Sequence, residues 1–234
     1  MDKEAQAKLF AALRAVDTPT ICNALEEARG FRTATGFTTQ HLHPTEPKAP
    51  PMVGYARTGM IRAMQPAAGT PAQKKAKRVG WYEYVVSGEG PTIAIIQDID
   101  STPGTGAMWG EVNSTVHRGL GVLGCVTNGS VRDLGVLAKG FPILAGKVGP
   151  SHAHVHVEEY GMPVDIFGMT VSHGDLIHAD CHGAVVIPME LAAKLPAAID
   201  LLARKEKVIL DAAKKKGFSL EILKKAFASL DDIH

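Results

Sequence analysis

An arginine followed at once by an aspartate, Arg132 and Asp133, closes the segment GCVTNGSVRD (residues 124–133). The two side chains suit different chemical tasks. A guanidinium is a planar fork of donors that matches a carboxylate. A carboxylate is a hard oxygen ligand, suited to Mg2+ or Mn2+. Side chains at adjacent positions diverge, so the pair need not be a mutual ion pair. It can hold an anionic substrate on one side and a cation on the other. The spacing also allows a plainer reading, with Asp133 capping a helix and Arg132 solvated. Some twenty residues upstream, Gly110-Glu111-Val112-Asn113 reads as a helix start. Exposed amides at such a start bind carboxylates. Glu111 there is either a dipole-matched first-turn residue or a member of the site.

The elements that must position these groups can be read from periodicity. Residues 2–15 are predicted helical, with Leu9, Phe10 and Leu13 on one face. Asp17-Thr18-Pro19 reads as a cap and first turn of a second helix ending near Arg29. Residues 30–52, rich in Thr, Pro and His, read as a loop with one short strand. MVGYARTGMI is a predicted strand, and PAQKKAKRVGWYEYVV a helix whose Lys74, Lys75, Lys77 and Arg78 form a solvated face. TIAIIQDI (92–99) is continuous and β-branched, as in a strand buried on both sides. GEVNSTVHRGLG is a predicted helix, VLGCVTN a strand that meets a turn at Thr127-Asn128-Gly129, VRDLGVLAKG a helix, and FPILAGKVG a strand. That alternation implies βαβ units. From residue 151 the texture changes to short antiparallel hairpins, and residues 189–232 return to helix. The expected division is N-terminal helices at 1–30, an α/β core at 31–188 and a helical extension at 189–234.

Composition narrows the function. A net charge of +1 gives no global field for nucleic acid or membrane. No apolar run approaches the roughly 18 residues that span a bilayer, and the charged N-terminus lacks a signal-peptide core. Cys22, Cys125 and Cys181 are odd in number and set among apolar residues, as free core thiols of a cytoplasmic protein would be. Gly104, Gly106 and Gly110 miss the dinucleotide fingerprint. His152, His154 and His156 alternate; on a strand they would share one face, as metal ligands or as part of a subunit contact. We expect the subunit contact, with the chemistry at Arg132 and Asp133. His173, His178 and His182 follow, and His117 is expected on a surface or interface.

Taken together, WGEVNSTVHRGLGVLGCVTNGSVRD, GDLIHADCHGAVVIP and TPTICNAL resemble the RraA-like family over roughly residues 15–190. That family includes 4-hydroxy-4-methyl-2-oxoglutarate/4-carboxy-4-hydroxy-2-oxoadipate (HMG/CHA) aldolases and regulators of ribonuclease E activity. The resemblance implies an α/β sandwich related to swivelling phosphohistidine-like domains, with helical ends, assembled as a homotrimer or dimer of trimers. It implies Asp133 as the ligand of Mg2+ or Mn2+ and Arg132 as the contact to the pyruvyl group. It implies Glu111 as an acidic residue of the water network, and the amides of Val112 and Asn113 as the holder of the substrate carboxylate. Glu206 would be the glutamate that a neighbouring subunit contributes. The implied activity is cleavage of a carbon–carbon bond of a 2-oxo di- or tricarboxylate through a pyruvate enolate, oxaloacetate decarboxylation included. The other branch of the family implies a non-catalytic interaction protein. The SHAHVHVEE segment, and His182 where many relatives carry aspartate, depart from the family pattern.

Overall fold

The computed structural model describes residues 2–230 and Ile233. Its elements in chain order are α1 (Lys3–Arg14), α2 (Thr18–Arg29), β1 (His43–Pro44), β2 (Met52–Arg62), α3 (Pro71–Val85), β3 (Thr92–Asp98), β4 (Ala107–Trp109), α4 (Glu111–Gly119), β5 (Val122–Val131), β6 (Ile143–Val148), β7 (His156–Tyr160), β8 (Val164–Ile166), β9 (Met169–Val171), β10 (Leu176–Asp180), β11 (Gly183–Ile187), α5 (Met189–Ala192), α6 (Leu195–Ala213) and α7 (Leu220–Ala228). The cap expected at Asp17 forms, and α1 and α3 also start on side-chain caps. The Asp2 and Asp17 side chains accept from the amides of Ala5 and Thr20, and Thr70 and Gln73 form a reciprocal capping box ahead of α3. Gly30 closes α2 at φ 80°, a left-handed conformation that glycine adopts without penalty.

The main sheet runs β1-β6-β5-β3-β2-β10-β11. Its centre is parallel: β2 pairs β3, β3 pairs β5 and β5 pairs β6. The chain crosses from β2 to β3 through α3 and from β3 to β5 through α4, giving two βαβ crossovers. The sheet curls because β2 changes partner along its length. Met52–Tyr55 pair antiparallel with β10, and Gly59–Arg62 pair antiparallel with β7, with the register shifting between Met60 and Ile61. A separate β8–β9 hairpin packs on the sheet. This is the mixed α/β architecture the alternation implied.

The core follows the same layers. Ile93, Ile95 and Ile96 of β3 are fully buried, each such side chain contributing about 1.5–3 kcal/mol by leaving water. One apolar cluster joins α1, α2 and α6 to β10 and β11 through Leu13, Ile21, Leu25, Leu176 and Leu195. A second seats β8 and β9 on the sheet. A third lies beneath α3 and α4, around Trp81, Trp109, Cys125 and Phe141.

Four sequence expectations fail, each for a physical reason. Thr127-Asn128-Gly129 is not a turn. β5 runs through it, with an irregular register against β6 between Thr127 and Ser130. Buried Asn128 supplies what a turn would have used, since its side chain accepts from the Asp98 amide and donates to the Asp98 carbonyl. The stretch after Asp133 is not a helix: Asp133 is left-handed at φ 59°, Gly140 has φ 77°, and turns lead directly to β6. Its Val131, Leu134 and Leu137 spacing imitates a helical stripe, but Leu134 and Val136 face solvent. His117 is not a surface residue: it is fully buried, accepting from Trp81 Nε1 at 2.9 Å with its other ring nitrogen on the Asn113 carbonyl at 2.7 Å. Of the three cysteines only Cys125 is a core thiol; Cys22 is half-buried and Cys181 exposed.

Candidate functional site

Arg132 and Asp133 leave the carboxyl end of β5, an inner strand of the sheet. The short strand β4 lies parallel beside that end, and its Trp109 carbonyl accepts from the Arg132 amide at 2.9 Å. One residue later Gly110 caps α4. The start of α4 and the end of β5 are thus forced together, over twenty residues apart in sequence. The Glu111 amide donates to Asp133 Oδ2 at 3.2 Å. Arg132 Nε lies 3.7 Å from the same oxygen, so the two side chains converge where the sequence suggested divergence. Both remain about one-third exposed, at 35% and 30% of their side-chain surface.

Gly110 makes this possible. A Cβ there would stand 2.5 Å from Asp133 Oδ2 and 3.3 Å from the Arg132 Cγ and Nε. Its backbone is extended, at φ −161° and ψ −168°, so space and not conformation requires glycine. The sequence offered Gly110 only as a helix opener; its role as a spacer follows from a tertiary contact that no local pattern encodes.

α4 starts without a side-chain cap. Its first amide goes to Asp133; those of Val112 and Asn113 take no acceptor from the described residues. Two bare amides at the positive end of a helix make a cradle for a carboxylate. Glu111 and Val112 are exposed. The Asn113 side chain is fixed, donating to the Met108 carbonyl at 2.6 Å and accepting from Tyr82 Oη at 3.1 Å. Ser114 Oγ ties the helix to the Ala138 amide at 3.0 Å. Beneath, His117 is wedged against Trp109, with ring centroids 4.7 Å apart. Burial depresses its pKa to about 4 from 6.5, partly offset by its bond to the Asn113 carbonyl, so it is neutral at pH 7. Tyr82, Trp81 and His117 are supports that sequence reasoning missed, because their partners lie on different elements.

Asp133 fits a hard cation. Its Oδ1 takes no hydrogen bond from the described residues, and its exposed face leaves room for water and ligand oxygens. Mg2+ is commonly held by one or two carboxylates with the rest from water and substrate. Glu206 is exposed on α6, which packs on α1, α2 and α7. Its assigned part therefore calls for a second chain.

The histidine segment does not form a metal face. Only His156 lies in a strand; His152 and His154 precede it in a turn. Among the described residues no three ligand atoms gather there; His156 Nε2 lies 3.2 Å from Glu158 Oε2. His152 and His156 each direct Nδ1 to a backbone carbonyl. They line a cleft of about 780 Å³ against α3, with Lys74, Arg78, Tyr82 and Asn113 in its walls; Arg132 and Asp133 lie outside that lining.

A parallel-centred α/β fold, with an arginine and an aspartate off an inner strand against an uncapped helix start, defines the class of protein. Residues 18–186 match the RraA-like family, described as Aldolase/RraA, and the chain belongs to that family. The family includes both HMG/CHA aldolases and ribonuclease E inhibitors. Over 86 residues the chain is 36% identical to an uncharacterized protein of Methanocaldococcus jannaschii, covering 36% of this chain and 41% of that one. The match thus spans less than half of that relative. An uncharacterized protein from Pseudomonas syringae pv. tomato superposes with a TM-score of 0.71 at 19% identity, over 95% of this chain and 94% of the other. Streptomyces coelicolor RraAS2, described as an unusual member of the RNase ES inhibitor RraA protein family, gives 0.66 at 22% identity, over 92% and 98%. At these identities the likeness is one of fold. No helix among the described residues is long and apolar enough to cross a membrane.

Proposed function

We propose that the chain is a divalent-metal-dependent lyase that cleaves a carbon–carbon bond of a 2-oxo di- or tricarboxylate to give pyruvate. Its substrates would be of the HMG/CHA aldolase type, with oxaloacetate decarboxylation at the same site. The observation that carries this reading is the meeting of three groups at Gly110: a guanidinium, a carboxylate with one oxygen unengaged, and a helix start with bare amides. The amides of Val112 and Asn113 receive the carboxylate of the 2-oxo acid. Arg132 directs its fork at the neighbouring keto oxygen and stabilises the negative charge that develops there as the bond beyond C3 breaks. Asp133 is the residue that would hold Mg2+ or Mn2+, which when bound supplies Lewis-acid polarisation of the 2-oxo acid. Exposed Glu111 stands where it can take or return a proton through solvent, and Glu206 of a neighbouring subunit would complete the site. This reading entails a homotrimer or a dimer of trimers.

Retro-aldol cleavage and β-decarboxylation both leave a pyruvate enolate, so one site serves both. The test is pyruvate release from oxaloacetate and from 4-hydroxy-4-methyl-2-oxoglutarate, with Mg2+ and after EDTA. Activity should require the metal and disappear in a folded Asp133→Ala variant. Full activity in metal-free protein would overturn the mechanism. Absence of turnover with either substrate would leave the non-catalytic branch of the family, or the same enolate chemistry on a different substrate.

A further inference from the structure

A second cluster of ligand-type side chains lies away from Gly110, at the tip of the β10–β11 hairpin. Asp180 pairs with Gly183, so Cys181 and His182 form a two-residue loop between the strands. Three donors of different kinds gather there: a carboxylate oxygen of Asp180, Cys181 Sγ and a ring nitrogen of His182, all within 4.8 Å of one another. It is the only such group of three among the described residues. His182 Nδ1 lies 3.1 Å from Asp180 Oδ1 and 3.7 Å from Cys181 Sγ. Both partners approach the same ring nitrogen, which argues against a nucleophilic relay, where the acid and the thiol must use opposite nitrogens.

The separations instead suit a small tetrahedral ion. With ion–sulfur near 2.3 Å and ion–nitrogen and ion–oxygen near 2.0–2.1 Å, a tetrahedron sets the sulfur–nitrogen edge at about 3.6 Å and the nitrogen–oxygen edge at about 3.3 Å. The frame is already fixed. Asp180 has only 5% of its side chain exposed. Its Oδ2 is held by the Thr18 amide at 2.9 Å, and its Oδ1 accepts from the His182 amide at 2.9 Å. Cys181 and His182 are exposed, so an ion can enter from solvent. The neighbouring His178 is not available, since its ring nitrogens engage Thr18 Oγ1 and the Leu13 carbonyl.

We propose that Asp180, Cys181 and His182 form a binding site for a borderline-soft divalent ion of the Zn2+ class, separate from the hard-oxygen site at Asp133. Thiolate and imidazole select such an ion over Mg2+. Because Asp180 also holds the first turn of α2, the ion would tie the hairpin tip to that helix.

The experiment titrates reduced, metal-free full-length protein with Zn2+ and, in parallel, with Co2+ as a spectroscopic probe. The expected result is a bound equivalent with a thiolate-to-cobalt charge-transfer band, and that sulfur-ligated equivalent is retained in Asp133→Ala. Cys181→Ser should abolish the band. Both Cys181→Ser and His182→Ala should weaken Zn2+ binding by more than the roughly 10- to 100-fold typical of losing a supporting residue. Both positions are exposed, so the variants should keep the parent circular dichroism. Unchanged Zn2+ affinity in the two variants, a cobalt spectrum without the sulfur band, or loss of binding in Asp133→Ala would each overturn the proposal. Turnover is not the readout, so its outcome is independent of the lyase reading.

Discussion

Replacing Gly110 by alanine tests whether the site depends on a close approach of backbone to side chain. The added Cβ would lie 2.5 Å from Asp133 Oδ2, and real Cβ atoms essentially never come nearer than 3.0 Å to another heavy atom. The carboxylate or the helix start must therefore retreat by at least 0.5 Å. Arg132, 3.3 Å from the same position, is pressed as well. Misplacement of a reacting geometry by about 1 Å costs about 10²-fold in rate, and tenfold corresponds to about 1.4 kcal/mol. A loss of roughly 10- to 100-fold in kcat/KM is expected, equivalent to about 1.4–2.7 kcal/mol. Stability should change little, because the backbone at Gly110 is extended and accommodates alanine. The poorer N-cap costs ~1 kcal/mol, or a fall of roughly 2–4 °C in Tm. The assay is pyruvate release from oxaloacetate across a Mg2+ titration, with thermal melts alongside. Activity within twofold of the parent, at any Mg2+ concentration, would refute the argument that these groups act as one packed unit.

Two further outcomes are expected. Arg132→Lys keeps the charge but loses the planar fork, and should lower kcat/KM for oxaloacetate by roughly 2 kcal/mol or more in transition-state binding; unchanged kcat/KM would remove Arg132 as the anchor. Buried His117 has a folded pKa of about 4 against 6.5 when unfolded, so protons favour the unfolded chain and stability falls as pH drops from 6.5 toward 4. His117 alone contributes a loss of about 2 kcal/mol at pH 5 relative to pH 7, read by urea unfolding, and His117→Gln should reduce the pH slope, the rest coming from His178, whose pKa burial also lowers; equal pH slopes in parent and variant would show that His117 does not contribute.

Local rules decided the elements where one local rule acted alone. Asp17 with Pro19, the Ile-rich 92–99 run and the Gly110 helix start each gave the right element because cap, burial and dipole are encoded within a few residues. The errors came where a distant partner supplied what a local signal promised. Asn128-Gly129 has turn chemistry, but Asp98 engages the Asn128 amide and keeps the strand extended. His117, a lone histidine on a helix, was expected at a surface or interface; Trp81, 36 positions away, gives it a donor that makes burial tolerable. Arg132, Asp133, Glu111 and the two α4 amides were legible as types and are brought together in space. Gly110 as a spacer, and the convergence of Asp180, Cys181 and His182, depend on backbone geometry that residue identity does not carry.

Strand β5 has a further consequence. It is ten residues long, buried at every position but Leu123, and it ends directly in Arg132 and Asp133. The Arg132 amide is bonded to the Trp109 carbonyl, and the Val131 carbonyl accepts from Gly149. Groups mounted on so buried a strand have little chain entropy left to lose when a ligand arrives. Exchange of the Arg132 amide should then require that β4 part from the end of β5, so its protection reports that opening.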